Sequence, residues 1–330
     1  MCGLFGFSDP NHTLTRKQAN RLTRCLAEAS AVRGTDATGI AYVSTDGALR
    51  IYKRPRAAGL MQFSLPAKTT AVMGHVRMAT QGKASHNENN HPFPGHLKGN
   101  SFALAHNGVI ANDSMLALQQ HLPATKVETD SYVAVQLLER GGKLDFNALA
   151  EMAEQLEGTF SFTVLDSNNT LFFMRGNNPL CIARFAGSGL ICYASTREIL
   201  LKALYLASFL SGTCDVIPIE EGEILSLNAA GKMKRSTFDT AKLNRPHFVP
   251  SFFSVPYGYR GWFSDCEKKG VGNDALAPLL EISHIMGYTE DEIFCLLDAG
   301  FCEEEIEEML LHPSQMQTAL AECFDCGYYF

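Results

Sequence analysis

Cys2 stands where a thiol and an amine can serve one reaction. The chain opens Met1-Cys2-Gly3-Leu4-Phe5-Gly6-Phe7. Removal of the initiator methionine, usual before a small residue, leaves Cys2 with both a nucleophilic sulfur and a free α-amine. A thiol with a base one residue's length away is an activated nucleophile. The α-amino pKa lies near about 8, so part of the amine is unprotonated at neutral pH. Other segments carry chemistry downstream: Arg33-Gly34-Thr35-Asp36-Ala37-Thr38-Gly39, Gly74-His75-Val76-Arg77-Met78-Ala79-Thr80-Gln81-Gly82 and Asn90-His91-Pro92-Phe93. They are followed by His106-Asn107-Gly108-Val109-Ile110-Ala111-Asn112 and Glu128-Thr129-Asp130.

In order and spacing, these segments resemble the class II glutamine amidotransferase domain of the N-terminal-nucleophile hydrolase superfamily, over about residues 2 to 235. The resemblance implies Cys2 as nucleophile and as its own base. It assigns the Asn107 side-chain amide and the Gly108 backbone N–H to an oxyanion hole, where donors must stand ready for developing charge. Arg77 would bind the glutamine α-carboxylate, for which a planar guanidinium is suited, and Asp130 the α-ammonium. Thr80 and His91 complete the substrate set, and Arg33 with Asp36 forms a supporting ion pair. Blander readings stand beside these. Asn107-Gly108 is a turn signal. Arg77 reads equally as a surface arginine at a strand end. Asp130 suits a helix cap, and His91 a loop-shaping residue before Pro92. Met78 departs from the aromatic residue common after the arginine in relatives. The Asn-rich stretch Lys83 to Asn90 reads as a mobile loop beside the pocket.

The elements that must hold these residues are short and mixed. Residues 2–7 read as a strand and Thr15 to Ala31 as a helix. Ile40 to Ser44 and Leu49 to Lys53 flank Asp46-Gly47 as a hairpin. Thr70 to His75 and Ser101 to His106 read as buried strands with site residues at their ends. Helices are expected over Ser114 to His121, Thr129 to Arg140, Phe146 to Leu156 and Thr196 to Ser208. Hairpins are expected over Phe160 to Arg175 and Pro179 to Ala194, and Val216 to Pro218 with Glu223 to Leu227 closes the domain. Hairpins and helices in blocks argue for an α+β fold. The resemblance implies a four-layer αββα sandwich of two antiparallel sheets between helices.

The division expected is 2–243 for the amidotransferase domain and 244–330 for an aromatic, proline-punctuated linker with an acidic helical C-terminal module. Short helices are expected at Ala275 to Met286, Glu290 to Ala299 and Glu303 to Leu311. Residues 246–330 carry 15 Asp/Glu against 3 Lys/Arg, leaving residues 1–245 with 20 acidic and 25 basic side chains. Part of that contrast is available for the tail to lie on the basic domain. The matched residues all precede the module, which is expected to dock a protein partner and not to catalyse. A compact module of ubiquitin-associated type and an acidic solvated tail both fit its pattern.

With 330 residues and 46% hydrophobic content, the chain can bury a large core. A net charge of −7 gives no reason to expect nucleic acid. No run of about eighteen apolar residues exists, so no membrane span is expected. The ten cysteines are scattered and no leader is evident, which reads as reduced thiols in a cytoplasmic protein. Cys323-Phe324-Asp325-Cys326 lacks a well-spaced second ligand pair, so no metal is expected, and no cofactor. Only about 85 residues follow the matched domain, too few for a synthase domain. The expected activity is a stand-alone glutaminase: L-glutamine in, L-glutamate and ammonia out, with an ammonia-accepting partner enzyme. The alternatives are another N-terminal-nucleophile amidohydrolase and a non-catalytic binding or regulatory protein of the same fold.

Overall fold

The computed structural model describes residues 2–210, 212–243, 277–298, 301, 303–310, 315–317 and 319–320. The aromatic linker expected over residues 246–274 and the Cys323/Cys326 pair lie outside the described residues.

The strands are β1 (Gly3–Ser8), β2 (Ala37–Val43), β3 (Leu49–Arg54), β4 (Ala71–Arg77), β5 (Phe93–Leu97), β6 (Asn100–Ile110) and β7 (Gly158–Asp166). They continue with β8 (Leu171–Arg175), β9 (Cys181–Phe185), β10 (Ile191–Ala194), β11 (Cys214–Ile217), β12 (Glu223–Leu227) and β13 (Met233–Thr237). The helices are α1 (Arg16–Ala29), α2 (Asp113–Gln119), α3 (Tyr132–Gly141), α4 (Phe146–Ala153) and α5 (Arg197–Leu206), then α6 (Ala277–Ile285), α7 (Glu290–Asp298) and α8 (Glu303–Leu310). Local chemistry sets several helix starts. Thr15 and Gln18 form a reciprocal capping box on α1. Asp145 caps α4, and Thr196 caps α5.

The strands form two antiparallel sheets, ordered β11-β9-β10-β1-β4-β2-β3 and β13-β12-β8-β7-β6-β5. Alternation along each strand fills three separate cores. In β1, Phe5 and Phe7 pack outward with Leu22 and Leu26 of α1. Leu4 faces the other way, into an inter-sheet layer with Met73, Ala103, Ala105, Phe173 and Tyr193. On the outer face of the second sheet, Phe102, Leu104 and Phe162 pack with Val135, Leu138 and Leu149 of α3 and α4. The result is the expected α+β sandwich of four layers. Buried residues of the C-terminal helices, including Leu279, Ile293, Leu296, Ile306 and Met309, are continuous with the core of α1 and the first sheet.

Two strands carry little sequence signal. β5 contains Pro94 and Gly95, and β13 is polar; both lie at edges of the second sheet. An edge is where a proline's missing N–H is tolerated. Among the described residues no helix is long and apolar enough to cross a membrane.

Candidate active site

Three strands bring the proposed machinery to one seam between the sheets. Cys2 precedes β1 and shares the inward parity of Leu4. Arg77 ends β4 and shares the parity of Met73. Asn107 in β6 shares the parity of Ala103 and Ala105. The side-chain period of two therefore aims all three into the inter-sheet space. Register places them together as well. Gly3 pairs with Val76, so Cys2 falls beside Arg77 in the next rung, and Ala37 pairs with Arg77 on its other side.

Arg33 ties Cys2 to the Asn107 amide. It ends the short 3-10 turn Ser30–Arg33 after α1 and is fully buried. Its Nε donates to the Cys2 carbonyl at 2.9 Å, and Nη2 donates to Asn107 Oδ1 at 3.4 Å. A guanidinium has only donors, so it must meet the oxygen of the amide and turn Nδ2 away. Asn107 Nδ2 is buried and has no hydrogen-bond partner among the described residues.

Asn107-Gly108 is not a turn; both residues lie within β6, opposite Ser161 and Phe160 of β7. Asn178 Nδ2 donates to the Asn107 carbonyl at 3.0 Å. The trans peptide then points the Gly108 N–H the opposite way. That edge is open, because β5 pairs with β6 only as far as Phe93 and Leu104. Gly108 has φ +139, and a Cβ there would sit 2.1 Å from the Thr159 carbonyl oxygen. Only glycine satisfies both conditions.

The Cys2 thiol is half-buried, 3.7 Å from the Met78 carbonyl oxygen. Burial pushes its pKa up; the amino terminus and Arg77 pull it down, and Asp130 pushes it up again. Burial is the largest of these influences, and the net direction is upward from the ordinary thiol value.

Arg77 is buried, with its pKa lowered chiefly by burial. Its Nη1 donates to Asn90 Oδ1 at 2.8 Å, and Nη2 to the carbonyls of Gln81 at 2.5 Å and Gly82 at 2.9 Å. It thus organises the loop after β4. Asn90 Nδ2 reaches the Ala84 carbonyl, and Asn89 Nδ2 reaches Glu128 Oε2. The stretch expected to be a mobile loop is therefore cross-tied by its own asparagines. Asp130 accepts from the Ile110 N–H at 2.6 Å and from Ser131 Oγ at 3.2 Å. Its oxygens do not cap α3. Two more of the roughly four acceptor positions of a carboxylate remain.

The other expected residues sit further out or behind. Thr80 is exposed in the bend after β4. Asp36 is exposed, and its Oδ2 accepts from the Ala79 N–H at 2.7 Å. The expected Arg33–Asp36 pair does not form; Arg33 pairs with Glu305 instead. His91 is buried, its ring centroid 4.1 Å from that of His75 and 4.3 Å from Phe93. Neither ring nitrogen has a hydrogen-bond partner among the described residues.

Sequence reasoning missed four neighbours. His75 Nε2 donates to the His106 carbonyl at 2.9 Å, and His106 Nδ1 lies 2.8 Å from Ser131 Oγ. Both histidines stand inside the recognised motifs, which was the available signal. Asn178 and Glu305 had none, because their contacts join residues 71 and 272 positions apart. Among the described residues no group of three His, Cys, Asp or Glu is arranged to hold a metal ion.

The chain is similar to several known proteins. It is 29% identical over 241 residues to the glutamine–fructose-6-phosphate aminotransferase (isomerizing) of Tropheryma whipplei strain Twist, covering 69% of this chain and 36% of that one. It is 29% identical over 271 residues to the amidophosphoribosyltransferase of Archaeoglobus fulgidus, covering 77% of this chain and 56% of that one. The chain thus spans between about a third and just over half of the length of these relatives. The solved glutamine phosphoribosylpyrophosphate amidotransferase from B. subtilis, complexed with ADP and GMP, superposes with a TM-score of 0.58 at 23% identity, over 72% of this chain and 49% of that one, a likeness of fold. Residues 1–186 match the family described as glutamine amidotransferases class-II, and the chain belongs to that family.

Proposed function

We propose that this protein hydrolyses the side-chain amide of L-glutamine through Cys2, releasing L-glutamate and ammonia. The observation that carries the reading is the Asn107 amide. Arg33 meets its oxygen, and its buried Nδ2 has no partner among the described residues in the seam where Cys2 lies. An unsatisfied buried donor costs about 1–3 kcal/mol, so it calls for a function. An oxyanion that forms only during reaction would meet it.

The steps follow from the groups at the seam. The α-amine of Cys2, free once Met1 is removed, takes the thiol proton. The sulfur attacks Cδ of glutamine, and the carbonyl π pair moves onto oxygen. Asn107 Nδ2 and the Gly108 N–H hold that oxyanion. Its collapse breaks the C–N bond as the ammonium proton passes to the leaving nitrogen, and ammonia departs from a thioester. Water then attacks the thioester carbonyl, gives a proton to the amine, and expels the thiolate. The proton returns to sulfur as L-glutamate leaves. Arg77 and Asp130 hold the α-carboxylate and α-ammonium of the substrate. Arg77 ends β4 in the rung beside Cys2, and Asp130 is tied to Ile110 in the strand that carries Asn107. Thr80, exposed beside the Arg77 loop, contacts the head group once substrate is seated, and His91 packs behind that loop. Ammonia passes to an acceptor.

Intact-mass measurement with and without 6-diazo-5-oxo-L-norleucine tests the reading. The expected spectrum lacks the Met1 mass and gains one adduct, mapped by peptide analysis to Cys2. Labelling elsewhere, or none, contradicts it.

A further inference from the structure

The Arg33 guanidinium meets groups that no local sequence pattern connects. Two of them belong to the site: the Cys2 carbonyl and Asn107 Oδ1. Another is the carboxylate of Glu305, in α8 of the C-terminal region. Nη1 donates to its Oε2 at 3.2 Å, and Nη2 engages its Oε1. Both side chains are 1% exposed. Phe301 lies over the same guanidinium, 5.7 Å from ring centroid to Cζ. Ile306, Met309 and Leu310 bury one side of α8 in the core shared with Leu22 and Leu26 of α1.

A buried arginine without a counter-charge is strongly destabilising, and a carboxylate that meets both Nη atoms fixes the plane of the guanidinium. That plane in turn decides where Nη2 meets Asn107, and therefore where Asn107 Nδ2 points. We propose that Glu305 is a positioning residue. The acidic C-terminal helices complete the catalytic centre by holding Arg33 in the plane that orients the Asn107 oxyanion donor. The proposal rests on the glutamine-hydrolysis reading, and it reverses the expectation that this region stands apart from catalysis. Part of the C-terminal acidity is then spent inside the molecule, on a cation of the amidotransferase domain.

The test uses the full chain with Glu305→Gln, Glu305→Asp, Glu305→Met, Arg33→Met and the double variant Arg33→Met/Glu305→Met. Ammonia release, iodoacetamide alkylation of Cys2 and thermal melting are measured for each. Losing an oxyanion donor outright costs about a hundred-fold or more in kcat, so its misorientation in Glu305→Gln is expected to cost about ten-fold or more. Because the donor acts in the transition state, KM should stay within about two-fold. Alkylation needs no oxyanion donor and should stay within about two-fold of wild type. Glu305→Asp keeps the charge and should recover part of kcat. In melting, Glu305→Met should lower Tm, and adding Arg33→Met should restore most of the loss, since removing both ions of a buried pair is far less costly than removing one. Wild-type kcat in folded Glu305→Gln, or additive Tm losses in the double variant, overturns the proposal. A wild-type protein that releases no ammonia defeats the hydrolysis reading instead, and the melting cycle still decides whether Glu305 supports Arg33.

Discussion

Arg33 and Asn107 meet as donor and acceptor, Nη2 to Oδ1 at 3.4 Å, and that contact leaves the amide's NH2 group for chemistry. Asn107→Ala removes the donor and should lower kcat for glutamine about 10²–10³-fold with little change in KM. Asn107→Asp keeps the acceptor for Arg33 but puts negative charge where the oxyanion forms, so it should be at least as inactive while melting close to wild type. Steady-state ammonia release beside thermal melting separates the two. An Asn107→Asp protein with wild-type kcat would remove this residue from the oxyanion hole.

Gly108 is held in place by Thr159. A methyl group at position 108 would approach the Thr159 carbonyl oxygen to 2.1 Å at a φ of +139. Gly108→Ala should destabilise the fold by about 1–3 kcal/mol and shift β6 against β7. Urea denaturation gives the magnitude. An unchanged midpoint would mean that the strand can relax without strain.

Arg77 and Asp130 should divide kcat/KM between loop order and ligand charge. Losing one partner of a buried charge-assisted contact costs about 2–5 kcal/mol, so Asp130→Asn and Asp130→Ala should each lose about thirty-fold or more in kcat/KM. Similar losses in both variants would identify charge as the operative property; a much larger loss in Asp130→Ala would identify packing. Arg77→Lys has one ammonium where Asn90, Gln81 and Gly82 are now held by a fork, so it should also loosen the loop. Limited proteolysis at residues 81–90 reads that effect. Wild-type kcat/KM in both Asp130 variants would remove that residue from the site.

Three buried histidines make the fold acid-sensitive. Burial holds His75 down to about 3 and His91 well below the ordinary range, with Arg77 and, for His91, Lys53 adding repulsion. Burial also lowers His106, opposed by Asp130. In the unfolded chain each titrates near about 6.5. Below that pH the unfolded state binds more protons than the folded state, so stability is lost as pH falls. Each histidine contributes up to about 1.4 kcal/mol per pH unit until its folded pKa is reached. Urea midpoints from about pH 7 to about pH 4 should fall, and His91→Phe should flatten the slope by roughly one proton. A wild-type midpoint independent of pH over that range contradicts the assignment.

Much of the site was legible because its chemistry is carried by local motifs. Strand alternation brings Cys2, Arg77 and Asn107 from short segments to one seam, Gly108 follows Asn107 in β6, and Arg33 reaches the seam from the turn after α1. The hairpins around Asp46-Gly47 and Gly187-Ser188-Gly189 were legible from turn chemistry, and α1 from the helical spacing of Ala19, Leu22, Cys25, Leu26 and Ala29. The edge strands β5 and β13 were not, because Pro94 and the polar Met233–Thr237 break the alternation by which a buried strand is recognised. The cross-ties of the asparagine-rich loop were not legible, because composition cannot show that Asn89 and Asn90 point inward. Glu305 was invisible in principle: one glutamate in an acidic run differs from its neighbours only by what it meets across the fold.

The central claim is that the Cys2 sulfur forms the bond to glutamine, and the most direct measurement is ammonia release from L-glutamine by Cys2→Ala beside wild type. Both proteins should be checked for the same melting behaviour and for removal of Met1. Wild type should release ammonia and L-glutamate in equal amounts. Cys2→Ala should release neither while melting like wild type. Undiminished ammonia release by the folded Cys2→Ala protein would contradict the account.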